Sequence, residues 1–427
     1  MNICIVGAGY VGLTTAAVLA ELGHTVECVD RDEGRIDRLN VGIIPIYEPG
    51  LDALTQRNRR DGRLFFSADV SASMKKNDIV MIAVGTPSGE DGAADLVYVR
   101  SVLLTLANAM DRYKIVIMKS TVPPGTGAWA KRFLLERGVP SEWFDIVSNP
   151  EFLREGTAIY DTFHPDRIVI GSPSRAAAET VRSLYGGIEA EVLLTGIAEA
   201  ELIKYGSNAF LATKLSFINE LARVCDAFGA DITKVAPGIG MDSRIGGKFL
   251  QAGIGYGGSC LPKDVSALIA ASASRDQELT LLRAVERVNR TQLDVYASKL
   301  ASVIGDIDSS KHVAVWGATF KENTDDIRHS QAIALMERLA AMSCKITAYD
   351  PLVSPAIEGV EWKDDAIGAA MGADALIVAT GWGEFVEADW HAVKQALKGN
   401  VVLDGRNVLD QTKLAGAGLR HVGVGRP

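Results

Sequence analysis

The stretch Gly255 to Asp264, "GYGGSCLPKD", sets one cysteine behind three glycines, with a proline, a lysine and an aspartate following it. Pro262 suits the first turn of a helix, and in "PKDVSALIAA" Val265, Leu268 and Ile269 fall on one face. Cys260 therefore stands just before a helix N-terminus with Lys263 close by. Both features lower a thiol pKa and favour the nucleophilic thiolate. A bare turn lets a substrate carbon approach the sulfur closely. Zinc would need about four ligands, and the neighbourhood of Cys260 supplies no second cysteine and no histidine, so no metal is expected. A second polar pair, Lys204 and Asn208, is spaced i, i+4 within an otherwise apolar helical run and shares one face. Alone, that pair also fits a snorkelling lysine and a helix-surface amide.

The elements that position these residues begin at the N-terminus. "MNICIVGAGYVGLTTAAVLAELGHTVECVDRD" reads as strand, glycine-rich turn, helix and strand, with Gly7, Gly9 and Gly12 in GxGxxG spacing and Asp30 closing the second strand. The glycines permit a tight turn and close backbone approach to a pyrophosphate, whose charge rests on the N-terminus of the helix beginning near Tyr10. Asp30 is placed to accept from ribose hydroxyls and to repel a 2′-phosphate, which favours NAD over NADP; Arg31 and Arg35 beside it work against that preference. The runs "DIVMIAVGTPS", "KIVIMKSTVPPG" and "FDIVSNPEF" continue the doubly wound pattern. Ligands of such sheets lie beyond the carboxyl ends of the strands, which directs Thr86, Ser120, Thr121, Asn149 and Glu151 toward the cofactor crevice. Taken singly, each is also ordinary turn chemistry.

From Ala198 about 30 residues run without proline and with apolar residues on most faces, giving a helix on the order of 45 Å. Such a helix is expected to be buried, bridging the domains and packing on its counterpart in a second subunit as a homodimer. A further helix covers the region near 279 to 303. "KHVAVWGATFK" then starts a second strand, turn, helix and strand that ends in Asp350 but lacks GxGxxG, so its ligand need not be NAD. The expected fold is α/β, with two Rossmann-like doubly wound domains joined by a long central helix. Residues 1–196 form the NAD-binding domain, 197–303 a helical dimerisation region carrying the cysteine loop, and 304–427 a nucleotide-sugar-binding domain.

Composition sets the surroundings. Lys plus Arg number 44 against 53 for Asp plus Glu, a balance of −9 without long runs of one sign, which offers nucleic acid no broad basic face. No apolar run approaches the roughly 18 residues of a membrane span, and the chain opens on a strand rather than a signal-type segment. The five cysteines are scattered without paired spacing. Cys4, Cys28, Cys225 and Cys344 read as buried hydrophobes, and a cytoplasmic location follows.

A thiolate beside a nicotinamide points to covalent oxidation: an aldehyde adds to the thiol, the adduct gives up hydride, and water opens the resulting thioester. The motifs "GAGYVGL", "STVPPGT", "NPEFLREGTAIYDTFHPDRIVIG", "KYGSNAFLATKLSFINE", "RIGGKFLQAGIGYGGSCLPKD", "FKENTDDIRHS" and "DGRNVLD" resemble the UDP-glucose/GDP-mannose dehydrogenase family, in order and across nearly the whole chain. The resemblance implies that UDP-glucose is oxidised to UDP-glucuronate with two NAD and one water. It implies Cys260 as nucleophile, Lys204 steadying the oxyanion, Asn208 holding the sugar, and Glu151, Glu155, Thr121 and Asp264 managing water and protons. Glu155 and Thr121 also fall near the nicotinamide. Gly7, Gly9, Tyr10, Val11, Gly12, Asp30, Arg35 and Thr86, with Lys263 and Arg328, complete the cofactor set. Phe152, Leu153, the loop Phe249, Leu250, Gln251, Ala252 and Gly253, then Gly257 and Lys321 are implied to contact the nucleotide-sugar, with Arg244 reaching into a partner subunit's site. Leu261 stands where phenylalanine is frequent in the UDP-glucose branch, which keeps GDP-mannose or another UDP-hexose as the alternative. Ser259 stands where the N-acetylmannosamine branch usually carries histidine. A two-electron dehydrogenase would need no cysteine, and a non-catalytic nucleotide-sugar sensor would show no turnover.

Overall fold

The computed structural model describes residues 1–426, which form two compact units, 1–207 with 266–277 and 208–265 with 278–426. The first holds an eight-stranded sheet built from β1 (Asn2–Val6), β2 (Thr25–Val29), β3 (Leu64–Ser67), β4 (Ile79–Ile82), β5 (Lys114–Met118), β6 (Phe144–Ser148), β7 (Arg167–Gly171) and β8 (Glu191–Thr195). Their order is β3-β2-β1-β4-β5-β6-β7-β8, parallel except where β6 meets β7. Parallel strands covered on both faces read as continuous apolar runs. In β1 the side chains divide between two cores, Ile3 and Ile5 on one side and Cys4 and Val6 on the other. The strand order reverses between β1 and β4, where a doubly wound sheet opens its ligand crevice.

The second unit repeats the scheme with β9 (His312–Trp316), β10 (Lys345–Tyr349), β11 (Val360–Trp362), β12 (Ala375–Val378), β13 (Val401–Asp404) and β14 (Arg420–Gly423), in the order β11-β10-β9-β12-β13-β14. Val313 and Val315 face one core, Ala314 and Trp316 the other. A single helix, Ile197–Phe228, joins the two sheet domains. Its 32 residues agree with the length expected from sequence, and within one chain it is only partly buried. Leu202, Phe210, Phe217 and Val224 recur about every two turns, Phe228 follows one turn later, and all are exposed, Phe228 at 84%. Within one chain this helix has two environments: Ile218, Ala222 and Cys225 enter the core of the second unit, while the opposite stripe meets solvent. The segment 197–303 contributes to both compact units. Among the described residues, no helix is long and apolar enough to cross a membrane.

Candidate active site

The turn after β1 has the shape a dinucleotide pyrophosphate requires. Gly7 sits at φ 109°, where a side chain would be strained, and a Cβ there would lie 2.6 Å from the Ala83 carbonyl oxygen after β4. A Cβ on Gly12 would overlap the Gly7 carbonyl oxygen, so this glycine lets the first helix, Tyr10–Glu21, start directly against the turn. Gly9 looks onto open space. Its backbone precedes a helix N-terminus without a side-chain cap, which leaves that end available to an anion. The residues fit NAD. Asp30 follows β2 and accepts from Ala8 N at 2.9 Å and from Asp32 N at 3.1 Å, with Arg35 Nη1 3.4 Å away. Its carboxylate is thus oriented by the turn it serves. Replacing Asp30 with alanine is expected to narrow the NAD over NADP preference by about 10- to 100-fold, the worth of a charge-assisted hydrogen bond. Comparing kcat/KM for the two cofactors checks this; equal use of both by the unmodified chain would show that Arg35 and Arg31 outweigh the acid.

Beyond β5 and β6 the polar residues divide into two kinds. Ser120 donates to the Val84 carbonyl at 2.6 Å and Thr86 to the Thr121 carbonyl at 2.8 Å, which ties adjacent strand ends together. Asn149 is a correction to the sequence reading. Its amide is buried, donates to the Val169 carbonyl at 2.8 Å and accepts from Tyr185 and, at 3.4 Å, from Lys119. It fastens β6 to β7. Glu151, two residues on, meets Lys204 at 2.9 Å, with both side chains about 5% exposed or less. Its other oxygen accepts from Leu153 N at 2.8 Å. Phe152 lies under two cations, 4.2 Å from Arg167 and 5.4 Å from Lys204. A buried carboxylate and ammonium in contact can exchange a proton with a reacting hydroxyl at little reorganisation cost. Glu155 is buried on the same segment, and Thr121 and Val11 are partly buried in this unit.

In the second unit the cysteine loop brings a further set together. Cys260 directly precedes the helix Leu261–Ala273 and accepts its first turn through Asp264 N at 2.9 Å. It is exposed, whereas Cys4, Cys28, Cys225 and Cys344 are buried. Burial pushes the Cys4 thiol up to about 12 and that of Cys344 to about 11, and raises Cys28 and Cys225 as well. Those four thiols are held neutral; Cys260 is the accessible one. Asp264 is 1% exposed and accepts from Asn208 Nδ2 at 2.6 Å and from Lys263 Nζ at 2.5 Å. Asn208 is therefore aimed by Asp264 rather than by its helix alone. Leu250, Ala252 and Gly253 are buried, Gln251 is exposed, and Phe249 enters the loop at φ 64°, a left-handed conformation strained for an aromatic residue.

The acid of the second Rossmann-like turn is more fully engaged than that of the first. Asp350 accepts from Ala318 N at 2.8 Å, as Asp30 does from Ala8. It also receives Thr319 N, Trp382 Nε1, Leu352 N and Val353 N, which occupies both oxygens. Lys321 follows this turn, its ammonium 6.0 Å from the Phe320 ring. Arg244 is 87% exposed and folds onto Asp242 of its own loop; Arg328 pairs with Asp326 at 2.7 Å and is 61% exposed. The Arg328 carbonyl accepts from Gly258 N of the cysteine loop at 2.9 Å.

Two residues were missed from sequence. Glu48, buried in "PIYEPG", accepts from Tyr10 OH, from Gly156 N at 2.7 Å and from Ile159 N at 3.3 Å, pinning the Glu155 segment beside the first helix. Its partners lie 38, 108 and 111 residues away, so no local spacing announces it. Arg406 donates to the Phe320, Ala379 and Gly255 carbonyls at 2.7, 2.8 and 3.3 Å. The motif "DGRN" marked it, yet only the fold supplies its acceptors. Among the described residues there is no cluster able to hold a metal ion.

The comparisons with known proteins run the length of the chain. Residues 1–189 match the NAD binding domain of the UDP-glucose/GDP-mannose dehydrogenase family, 198–291 its central domain and 314–411 its UDP binding domain. The Bacillus subtilis protein YtcA is 48% identical over 433 residues, covering 100% of both chains. UDP-glucose 6-dehydrogenase TuaD of Bacillus subtilis is 43% identical, covering 100% of this chain and 93% of that protein. A solved UDP-glucose dehydrogenase from Pyrobaculum islandicum superposes with a TM-score of 0.93 at 36% identity, covering 100% of this chain and 98% of its own. With its glycine turn shaped for NAD and its full-length similarity, the chain belongs to the UDP-glucose/GDP-mannose dehydrogenase family and is an NAD-dependent oxidoreductase.

Proposed function

We propose that this enzyme oxidises the primary alcohol of UDP-glucose to the carboxylate of UDP-glucuronate through covalent intermediates on Cys260. The observation that carries the reading is one exposed thiol at a helix N-terminus, set among four buried and unreactive ones. NAD, when bound at the glycine turn, accepts a hydride at each of the two oxidations. As the alcohol becomes an aldehyde its hydroxyl proton passes to water, and Lys204 holds the developing oxyanion. The sulfur of Cys260 adds to the aldehyde carbon; loss of hydride from that adduct leaves a thioester. Glu151 orients and deprotonates one water, whose attack releases the carboxylate and restores the thiol. Asn208, aimed by Asp264, holds the sugar. Thr121 and Glu155 border the nicotinamide, and the loop from Phe249 to Gly253, with Gly257 and Lys321, embraces the diphosphate.

The UDP binding domain match and the names of the relatives support uridine and glucose. Leu261 favours the alternative of GDP-mannose or another UDP-hexose. A panel of nucleotide-sugars with NADH counted per substrate tests both readings. Two NADH per UDP-glucose with no free aldehyde is expected, and a ratio of one would overturn the thioester route. We further propose a homodimer formed through the exposed apolar stripe of the Ile197–Phe228 helix, with Arg244 reaching the partner's site and Lys263 and Arg328 neighbouring the cofactor. Five cysteines without a disulfide suit the cytoplasm. The regions 1–196, 197–303 and 304–427 serve NAD, assembly with the nucleophile loop, and the nucleotide-sugar in turn.

A further inference from the structure

The segment from Leu250 to Gly258 has neither helix nor strand yet is largely buried. Buried irregular backbone must find partners for its amides and carbonyls. Here they come one by one from the second unit. Gly253 donates to Asn219 Oδ1 at 2.8 Å, and its carbonyl accepts from Gln292 Nε2 at 2.8 Å. Ile254 N reaches the Gly405 carbonyl and Gly258 N the Arg328 carbonyl, each at 2.9 Å. At Tyr256 a single side chain serves both groups: Asn289 Oδ1 accepts from Tyr256 N at 2.9 Å while Asn289 Nδ2 donates to Tyr256 O at 3.0 Å. Reversing the amide would set donor against donor and acceptor against acceptor. Asn289 thus supplies the pair of bonds a neighbouring strand would give.

The chain between this clamp and the thiol has little room to move. Gly255, at φ 112°, lets Asn289 approach; a Cβ there would stand 2.9 Å from Asn289 Oδ1. A Cβ on Gly257 would overlap the His329 carbonyl oxygen, and one on Gly258 would lie 2.7 Å from the Phe320 ring. Two residues later comes Cys260. Asn289 lies on the helix Thr280–Ile304, and "RVNRTQL" gives it no motif.

We infer that Asn289 is a positioning residue for Cys260, holding the loop in the register from which the sulfur reaches the substrate carbon. The inference rests on Cys260 being the nucleophile. Losing both bonds leaves the Tyr256 amide unpaired and its carbonyl with Gln331 Nε2 alone, 3.2 Å away, and frees the loop to shift; a displacement of about 1 Å at a reacting group costs on the order of 100-fold. Asn289→Ala is therefore expected to lower kcat about 10- to 100-fold with KM for NAD unchanged, because the glycine turn belongs to the other unit. Its rate of Cys260 alkylation by iodoacetamide should follow a shifted pH profile, since the thiol leaves its place at the helix N-terminus. Asn289→Asp keeps the acceptor for Tyr256 N but opposes the Tyr256 carbonyl, and should fall between the two. Far-UV circular dichroism and NAD binding of both variants report folding. If Asn289→Ala is too unstable to assay, Asn289→Asp carries the test alone, with the same shifted alkylation profile expected. Wild-type kcat and an unchanged alkylation profile in a folded variant would overturn the inference. Turnover persisting in Cys260→Ala would instead overturn the nucleophile reading on which it stands.

Discussion

Enzyme carrying Cys260→Ala is expected to release no NADH at steady state, a loss on the order of 10⁴-fold or more, because the nucleophile on which the second oxidation depends is gone. No other thiol can replace it. Cys4, Cys28, Cys225 and Cys344 are buried, and burial holds all four in the neutral form. Substitution should leave stability nearly unchanged, since Cys260 is exposed and its backbone carbonyl, not its sulfur, accepts the helical bond from Asp264 N. Steady-state absorbance at NADH wavelengths, with the thermal midpoint recorded alongside, checks both halves. Sustained release of NADH by Cys260→Ala would remove the covalent route, whatever the substrate.

The second large effect separates hydrolysis from oxidation. Opening the thioester is the step that consumes water, so removing its base should let oxidation begin and then stop with the acyl group on sulfur. In Glu151→Gln the single amide oxygen can serve either Lys204, 2.9 Å from one carboxylate oxygen, or Leu153 N, 2.8 Å from the other, and the amide nitrogen then faces the remaining donor. The buried lysine loses an ionised partner, and breaking a buried pair by removing one charge costs about 3–5 kcal/mol when nothing compensates; one retained hydrogen bond offsets part of that. Intact-protein mass spectrometry after mixing with UDP-glucose and NAD is expected to show the mass of a nucleotide-sugar acyl group on Cys260, with turnover reduced at least about 100-fold. Asp264→Asn should act earlier. Asp264 receives Asn208 on one oxygen and Lys263 on the other, so its loss misdirects the sugar-holding amide before any thioester forms. An inactive Glu151→Gln enzyme without adduct, beside an Asp264→Asn enzyme that accumulates one, would transfer the hydrolytic role to Asp264.

What the sequence by itself determined is local in origin. The turn around Gly7, Gly9 and Gly12, the acid at Asp30, the helix beginning after Cys260 and the repeated strand, turn and helix of the second domain each follow from spacings within about 30 residues. Such spacings act through backbone sterics and helix periodicity, which need no distant partner. The buried state of four cysteines and the exposure of the fifth were legible for the same reason. Only the tertiary structure decided which polar side chains are spent on holding the frame. Asn149 looks like a crevice residue in "NPEF", yet its amide goes to Val169, Tyr185 and Lys119 on the neighbouring strands and loops. Asp350 repeats the position of Asp30, but Thr319, Trp382, Leu352 and Val353 also donate to its oxygens and bind it into its own domain's frame. Glu48 and Asn289 are silent in the sequence because their partners stand 108 and 33 residues away. A buried hydrogen bond is set by which groups the fold brings within about 3 Å, and that pairing is not written in the order of the residues.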